Sequence, residues 1–173
     1  LGNGKMGKRI SKLATEKGHE IVITSCSENT AVSLDLSVTD VAIDFSTPTT
    51  AFENISHAIN SGIPVISGTT AWLEKLQDVK DLCIAKEGAF LYASNFSLGM
   101  NIVFELNKKL AKLVKNQKYE TKIHETHHTE KLDSPSGTAK TLATDTKNIL
   151  QKEINITSDR IKDVSGTHII TYN

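Results

Sequence analysis

Short β-branched runs alternate with amphipathic helical patterns over residues 1–96, and this order constrains the fold more than any other feature of the chain. Residues 5–17 (KMGKRISKLATEK) place Met6, Ile10, Leu13 and Ala14 on one helical face with Lys and Arg opposite, and Gly18 stops the run. Residues 20–25 (EIVITS), 40–46 (DVAIDFS), 63–67 (IPVIS) and 89–93 (AFLYA) read as strands. Helices are predicted over 48–60, opened by Thr47-Pro48 and closed by Gly62, and over 72–86, where Leu73, Leu76, Val79, Leu82 and Cys83 recur at helical spacing. A β-α-β-α-β order with short connections predicts a parallel sheet covered by helices. The span 26–39 is rich in Ser, Thr, Asn and Asp and offers no crossover helix.

The pattern changes after residue 96. Residues 98–115 form a long amphipathic pattern, with Ile102, Val103, Leu106, Leu110, Leu113 and Val114 expected inward. Residues 119–127 alternate as a strand, 135–152 read as a helix and 167–172 as a strand. The expected organisation is a Rossmann-like dinucleotide-binding domain over residues 1–96 and an α+β substrate-binding and oligomerisation domain over residues 97–173. The chain starts at Leu1 without an initiator Met and stops at Asn173 inside a predicted strand, so it reads as a piece of a longer protein, lacking its first strand and the end of its second domain.

Gly2-Asn3-Gly4-Lys5-Met6-Gly7 matches G-x-G-x-x-G at the start of the first helix. In such a fingerprint the first glycine permits a tight turn, and the second lets the backbone approach a pyrophosphate. The third lets the helix pack closely, and the helix N-terminus faces the anion. The acid that usually holds the ribose hydroxyls falls at the position of Cys26, with Glu28 just beyond. That leaves NADH and NADPH both open, and Lys5 is a candidate for meeting a 2′-phosphate. Gly68-Thr69-Thr70 and Ala93-Ser94-Asn95-Phe96 follow predicted strands, where the C-terminal strand ends of a parallel sheet line the ligand crevice.

Residues 124–138 (HETHHTEKLDSPSGT) concentrate titratable groups. His124-Glu125-Thr126-His127-His128 satisfies H-E-x-x-H, which serves zinc only on a helix. The alternation before it favours a strand, in which positions four apart lie about 13 Å from each other. A zinc hydrolase using His124, Glu125 and His128 is therefore the weaker alternative, and no metal is expected. The other end of the segment points elsewhere. Asp133 or Ser134 is expected to cap a helix with Pro135 in its first position. Ser136, Gly137 and Thr138 would then offer free backbone N–H groups and hydroxyls to a carboxylate or phosphate. His127, His128 and Lys131 lie just upstream. An imidazole titrates near neutrality and passes protons, and an ammonium supplies fixed charge or a proton. An anion site, a proton donor and a dinucleotide fold suggest hydride transfer to an acidic small molecule. A non-catalytic dinucleotide-binding module is the other alternative.

The run His127-His128-x-x-Lys131-x-Asp133-x-Pro135-Ser136-Gly137-Thr138, preceded by Glu125, closely resembles the signature of the 4-hydroxy-tetrahydrodipicolinate reductase (dihydrodipicolinate reductase) family. The glycine fingerprint, Asp44-Phe45-Ser46-x-Pro48, Gly68-Thr69-Thr70 and Ser94-Asn95-Phe96-Ser97-x-Gly99-x-Asn101 recur in that family in this order. The resemblance implies an enzyme of the diaminopimelate route to lysine, using NADH or NADPH and assembling as a homotetramer through the second domain's sheet. It places His127 on the proton donor and Lys131 on the catalytic lysine. His128, Ser136, Gly137 and Thr138 fall on substrate contacts, and Gly2 to Gly7, Gly68 to Thr70 and Ala93 to Phe96 fall on cofactor contacts.

Composition fits these expectations. Twenty Lys and Arg balance 20 Asp and Glu, so no basic excess exists for a nucleic-acid partner. No apolar run approaches the roughly 18–20 residues of a bilayer span. The two cysteines, Cys26 and Cys83, read as buried thiols of a cytoplasmic protein.

Overall fold

The computed structural model describes residues 1–26, 29–131 and 133–173. The chain divides into two compact units, Leu1–Ala93 and Ser94–Asn173.

The first unit is Rossmann-like. Helix α1 (Lys5–Glu16) is followed by the strands β1 (Ala42–Asp44), β2 (Val65–Ser67) and β3 (Phe90–Tyr92). Helices α2 (Ala51–Asn60) and α3 (Leu76–Ala85) connect those strands. The strands pair in parallel in the order β1-β2-β3, with Ala42 opposite Val65 and Val65 opposite Phe90. Parallel neighbours require crossovers, and α2 and α3 provide them. Their buried faces, centred on Ile55, Ile59 and Val79, pack with Val65 and Trp72 into one core. The Trp72 indole N–H donates to Thr69 O at 2.6 Å, so the ring is buried with its polar atom satisfied.

The expected strand over 20–25 does not form. A strand exists only with a hydrogen-bonding neighbour. Leu1 holds the ladder positions beside β1, donating to Ile43 O and accepting from Phe45 N. Residues 19–24 instead wall an open cleft of about 580 Å³, together with α1 and residues 38–45. Ile21 and Val22 are accordingly exposed, and α1 buries no residue fully. Helix α2 starts three residues after Pro48, because residues 47–50 form a threonine-rich turn first. Cys26 is exposed and Cys83 half-buried, which corrects the expectation of two buried thiols.

The second unit packs α4 (Leu98–Val114) and α5 (Gly137–Leu150) with a mixed sheet in the order β5-β4-β6. Strand β4 (Thr121–His127) runs parallel to β5 (Asn155–Arg160) and antiparallel to β6 (Thr167–Tyr172). Strand β5 has no counterpart in the sequence-based expectation. The inward face of α4 is also corrected. Phe104, Asn107 and Ala111 are buried, whereas Ile102, Val103, Leu106, Leu110 and Leu113 are exposed and Val114 is half-buried. The buried stripe is fixed by a polar contact as well as an apolar one: Asn107 donates to Thr146 Oγ1 at 2.9 Å and accepts from the Tyr172 hydroxyl at 2.8 Å. No helix among the described residues is long and apolar enough to cross a membrane.

Candidate active site

In the first unit, the turn into α1 has the form required to receive an anion. Gly2 has φ +89°, and a Cβ there would lie 2.4 Å from Phe45 O. A Cβ on Gly7 would lie 2.0 Å from Gly2 O, so only glycine lets the helix close on its own turn. A Cβ on Gly4 meets nothing within 4 Å. Gly4 is also the N-cap of α1 and brings no side-chain cap, and the first turn contains no acid. The positive end of the α1 dipole at a bare Gly4 fits a pyrophosphate. Asn3, Lys5 and Met6 are exposed beside it.

The Gly68-Thr69-Thr70 loop is shaped by Asp44, which is fully buried at the end of β1. Its Oδ1 accepts from Ser46 Oγ at 2.7 Å, and its Oδ2 accepts from Ser67 Oγ at 3.0 Å and Thr69 Oγ1 at 2.7 Å. Thr69 Oγ1 also accepts from Ser46 N at 2.9 Å, so its hydroxyl is committed inside the fold. Gly68 is obligatory for space, since a Cβ would fall 2.2 Å from the Phe45 ring. Ala93 hydrogen-bonds Ser67 O at the end of the same sheet. Glu28 lies outside the described residues, and Cys26 sits on the surface.

In the second unit, Ser94 and Asn95 are tied to the start of α5. Ser94 Oγ and Thr141 Oγ1 are 2.9 Å apart, and Asn95 Nδ2 donates to Thr138 Oγ1 at 3.2 Å. Asn101 Nδ2 donates to Asn95 O and Ser97 O, which accounts for the spacing of asparagines and serines in this loop. Phe96 is exposed.

The N-terminus of α5 differs from expectation. Its N-cap is Ser136, whose Oγ accepts from Ala139 N at 3.1 Å, and Pro135 precedes the cap. Two of the three N–H groups expected to be free are taken. Ser136 N donates to Glu125 Oε1 at 2.9 Å and Gly137 N to Asp133 Oδ2 at 3.2 Å. Neither carboxylate takes the N–H of Thr138. Asp133 thus serves the helix from outside the cap, while its Oδ1 holds Lys131 Nζ at 2.6 Å. Burial raises the Asp133 carboxyl, but Lys131 and the Gly137 N–H outweigh it and hold the group below the usual range.

Glu125 is fully buried in the middle of β4. Its Oε1 accepts from Ser136 N, from Ser158 Oγ at 2.9 Å and from Arg160 Nη2 at 3.2 Å. Its Oε2 lies 3.4 Å from His127 Nδ1 and 3.4 Å from His168 Nε2. Burial alone would raise this carboxyl, but the Ser136, Ser158 and Arg160 donors lower it to about 2. Burial lowers both His127 and His168, against the opposing pull of Glu125. The two imidazoles meet edge to face at 5.0 Å. Glu125, His127 and His168 come within 4.8 Å of one another. The Arg160 guanidinium already answers the carboxylate's charge, so the group reads as an ion-paired proton site. Arg160 and His168 were not anticipated from the sequence.

The zinc-hydrolase alternative finds no support. The H-E-x-x-H run lies on a strand, so His124 and Glu125 point to opposite faces. His124 is engaged on the outer face with Thr157 Oγ1 at 2.8 Å and Asp159 Oδ2 at 3.5 Å. His128 is exposed beyond the strand end.

Comparison with known proteins agrees with the sequence resemblance. The family model described as "Dihydrodipicolinate reductase, N-terminus" matches residues 1–96, and "Dihydrodipicolinate reductase, C-terminus" matches residues 99–173. A 4-hydroxy-tetrahydrodipicolinate reductase of Christiangramia forsetii is 42% identical over 188 residues, covering 99% of this chain and 77% of that protein. One of Thermosipho africanus is 32% identical over 170 residues, covering 98% of this chain and 74% of that protein. Among solved structures, a dipicolinate-bound dihydrodipicolinate reductase from Paenisporosarcina sp. TG-14 shares the fold. Its TM-score is 0.56 at 24% identity, covering 100% of this chain and 71% of that one.

Proposed function

The chain belongs to the dihydrodipicolinate reductase family, and from that premise we propose that it carries the family's reaction. That reaction is reduction of 4-hydroxy-tetrahydrodipicolinate to tetrahydrodipicolinate by NADH or NADPH, with the 4-hydroxyl leaving as water, in the diaminopimelate route of lysine biosynthesis. The observation that carries the reading is the ion-paired cluster around Glu125, with His127, Lys131 and the start of α5 held next to one another in the second unit.

The G-x-G-x-x-G turn fits a dinucleotide because a Cβ on Gly4 would meet nothing and Gly4 supplies no side-chain cap to α1. Gly2, Asn3, Gly4, Lys5, Met6 and Gly7 hold the phosphates in this reading. Gly68, Thr69, Thr70, Ala93, Ser94, Asn95 and Phe96 shape the nicotinamide end. The bound reduced nicotinamide supplies the hydride.

The protein's own groups do the rest. Thr138 orients a substrate carboxylate at the positive end of α5, where Ser136 and Gly137 shape the helix tip while their own N–H groups are held by Glu125 and Asp133, and His128 and Lys131 add charge and hydrogen bonds. His127 gives up a proton as hydride arrives, with Lys131 beside it. Positioning and electrostatics supply most of the rate, and proton transfer contributes on the order of 10²–10⁴-fold. A homotetramer assembled through the β5-β4-β6 sheet and a cytoplasmic location accompany this reading. The test is substrate-dependent loss of reduced-nicotinamide absorbance with the cyclic dicarboxylate, absent when either reactant is omitted. Cofactor binding without turnover would favour the non-catalytic module.

A further inference from the structure

We propose that Glu125 is the positioning residue of His127, and that His168 is a second imidazole competing for the same carboxylate oxygen. The proton delivered in the reaction is then governed by three side chains. The inference rests on the reading of His127 as proton donor given above.

The two oxygens of Glu125 are used differently. Oε1 is saturated by a backbone N–H, a hydroxyl and a guanidinium from three separate segments, Ser136, Ser158 and Arg160. Those bonds fix the carboxylate plane and keep it ionised. Among the described residues, the buried Oε2 has no hydrogen-bond partner, and His127 Nδ1 is in the same condition. The two atoms stand 3.4 Å apart. A buried acceptor and a buried imidazole nitrogen left facing each other are costly unless a proton lies between them. An Nδ1–H on His127 satisfies both and directs Nε2 to the chemistry, as a carboxylate orients an imidazole in other enzymes.

His168 Nε2 lies 3.4 Å from the same Oε2 and 3.2 Å from Ser136 Oγ. It therefore has an alternative partner, which His127 Nδ1 lacks among the described residues. A Cβ on Gly166 would fall 2.8 Å from Cδ2 and Nε2 of His127, so a side chain at that position would press on the other edge of the ring. His127 thus lies between Glu125 and the edge-to-face His168 ring.

In the step itself, the proton leaves Nε2 of the His127 imidazolium for the substrate atom made basic by hydride addition. The neutral imidazole keeps its Nδ1–H on Glu125, and water returns the lost proton. The charged groups facing His127 are Glu125 from β4, His168 from β6, Arg160 from β5 and Lys131 from the following loop. Only Glu125 favours the loaded imidazolium, and the other three oppose it.

The test is the pH profile of turnover in Glu125→Gln, Glu125→Asp and His168→Asn, with cofactor affinity measured in parallel. Activity needs the donor protonated, so it falls as pH rises through the donor's pKa. Glu125→Gln is expected to lower kcat by roughly tenfold or more and move that basic limb to lower pH by about one unit. His168→Asn is expected to move it to higher pH, and Glu125→Asp to recover part of the loss. KM for reduced nicotinamide stays at the wild-type value throughout. Limbs that stay in place, or that move the same way in both variants, overturn the proposal. If Glu125→Gln does not fold, the direction of the His168→Asn shift decides alone. A His127→Gln variant separates the levels: full turnover there removes the donor reading itself. Impaired turnover there with unmoved profiles in the others removes only this inference.

Discussion

The backbone N–H of Ser136 donates to Glu125 Oε1 at 2.9 Å, joining the N-cap of α5 to the middle of β4. A helix end and a sheet centre are thereby held by one buried charge, and the stability of the second unit becomes dependent on pH.

The Glu125 carboxyl is lowered from an ordinary 4.5 to about 2. A group depressed in the folded state contributes stability above its unfolded pKa and loses it as pH falls toward the folded value. The wild-type protein is therefore expected to lose roughly 3 kcal/mol between pH about 4.5 and about 2 through this group. Chemical denaturation across that window checks it. Glu125→Gln should be less stable at neutral pH, because Arg160 loses its partner, and should show a flatter acid limb.

Two glycines of the fingerprint should respond in opposite ways. Gly7→Ala puts a Cβ 2.0 Å from Gly2 O, so the turn must open. Lowered thermal stability and lost dinucleotide affinity are both expected. Gly4→Ala meets no protein atom. It should leave the unfolding free energy within about 1 kcal/mol of wild type while still weakening dinucleotide binding. Calorimetry and fluorescence titration read the two effects separately.

Asp133 holds Lys131 at 2.6 Å while its other oxygen accepts from Gly137 N. Lys131→Ala is expected to raise substrate KM and lower kcat. Asp133→Asn keeps a helix acceptor but releases the ammonium. It should therefore reproduce part of the Lys131 defect in kinetics at a stability cost of about 1 kcal/mol. Steady-state kinetics paired with melting curves distinguish that from simple unfolding.

Prolonged dialysis against a chelator should leave turnover unchanged. The carboxylate of the histidine cluster is already paired with Arg160 at 3.2 Å, and His124 faces the other side of the sheet. Activity lost on chelation and restored by zinc would contradict the proton-site assignment.

Much of the first unit was readable because β-branched strands, Gly62 and the spacing of α3 all agree with one another. The failures have local causes. Residues 20–25 carry a strand's composition, but no ladder neighbour completes them. Strand β5 was invisible because its inward positions, Ile156, Ser158 and Arg160, include only one apolar side chain. Two of the three serve a buried carboxylate, so the usual alternation vanishes where the chemistry is densest. His168 was hidden for the same reason, since its partner Glu125 lies 43 residues earlier. On α4 the apolar residues cover a broad arc, and the stripe that is buried centres on Asn107, chosen by its bonds to Thr146 and Tyr172. At α5 the cap fell on Ser136 because two carboxylates, Glu125 and Asp133, claim the N–H groups just beside it.

The measurement closest to the central claim is turnover of His127→Gln against wild type, with the cyclic dicarboxylate and saturating reduced nicotinamide. With His127 as proton donor, kcat is expected to fall by about 10²-fold or more, with dinucleotide affinity unchanged. Equal turnover in the two proteins would contradict it.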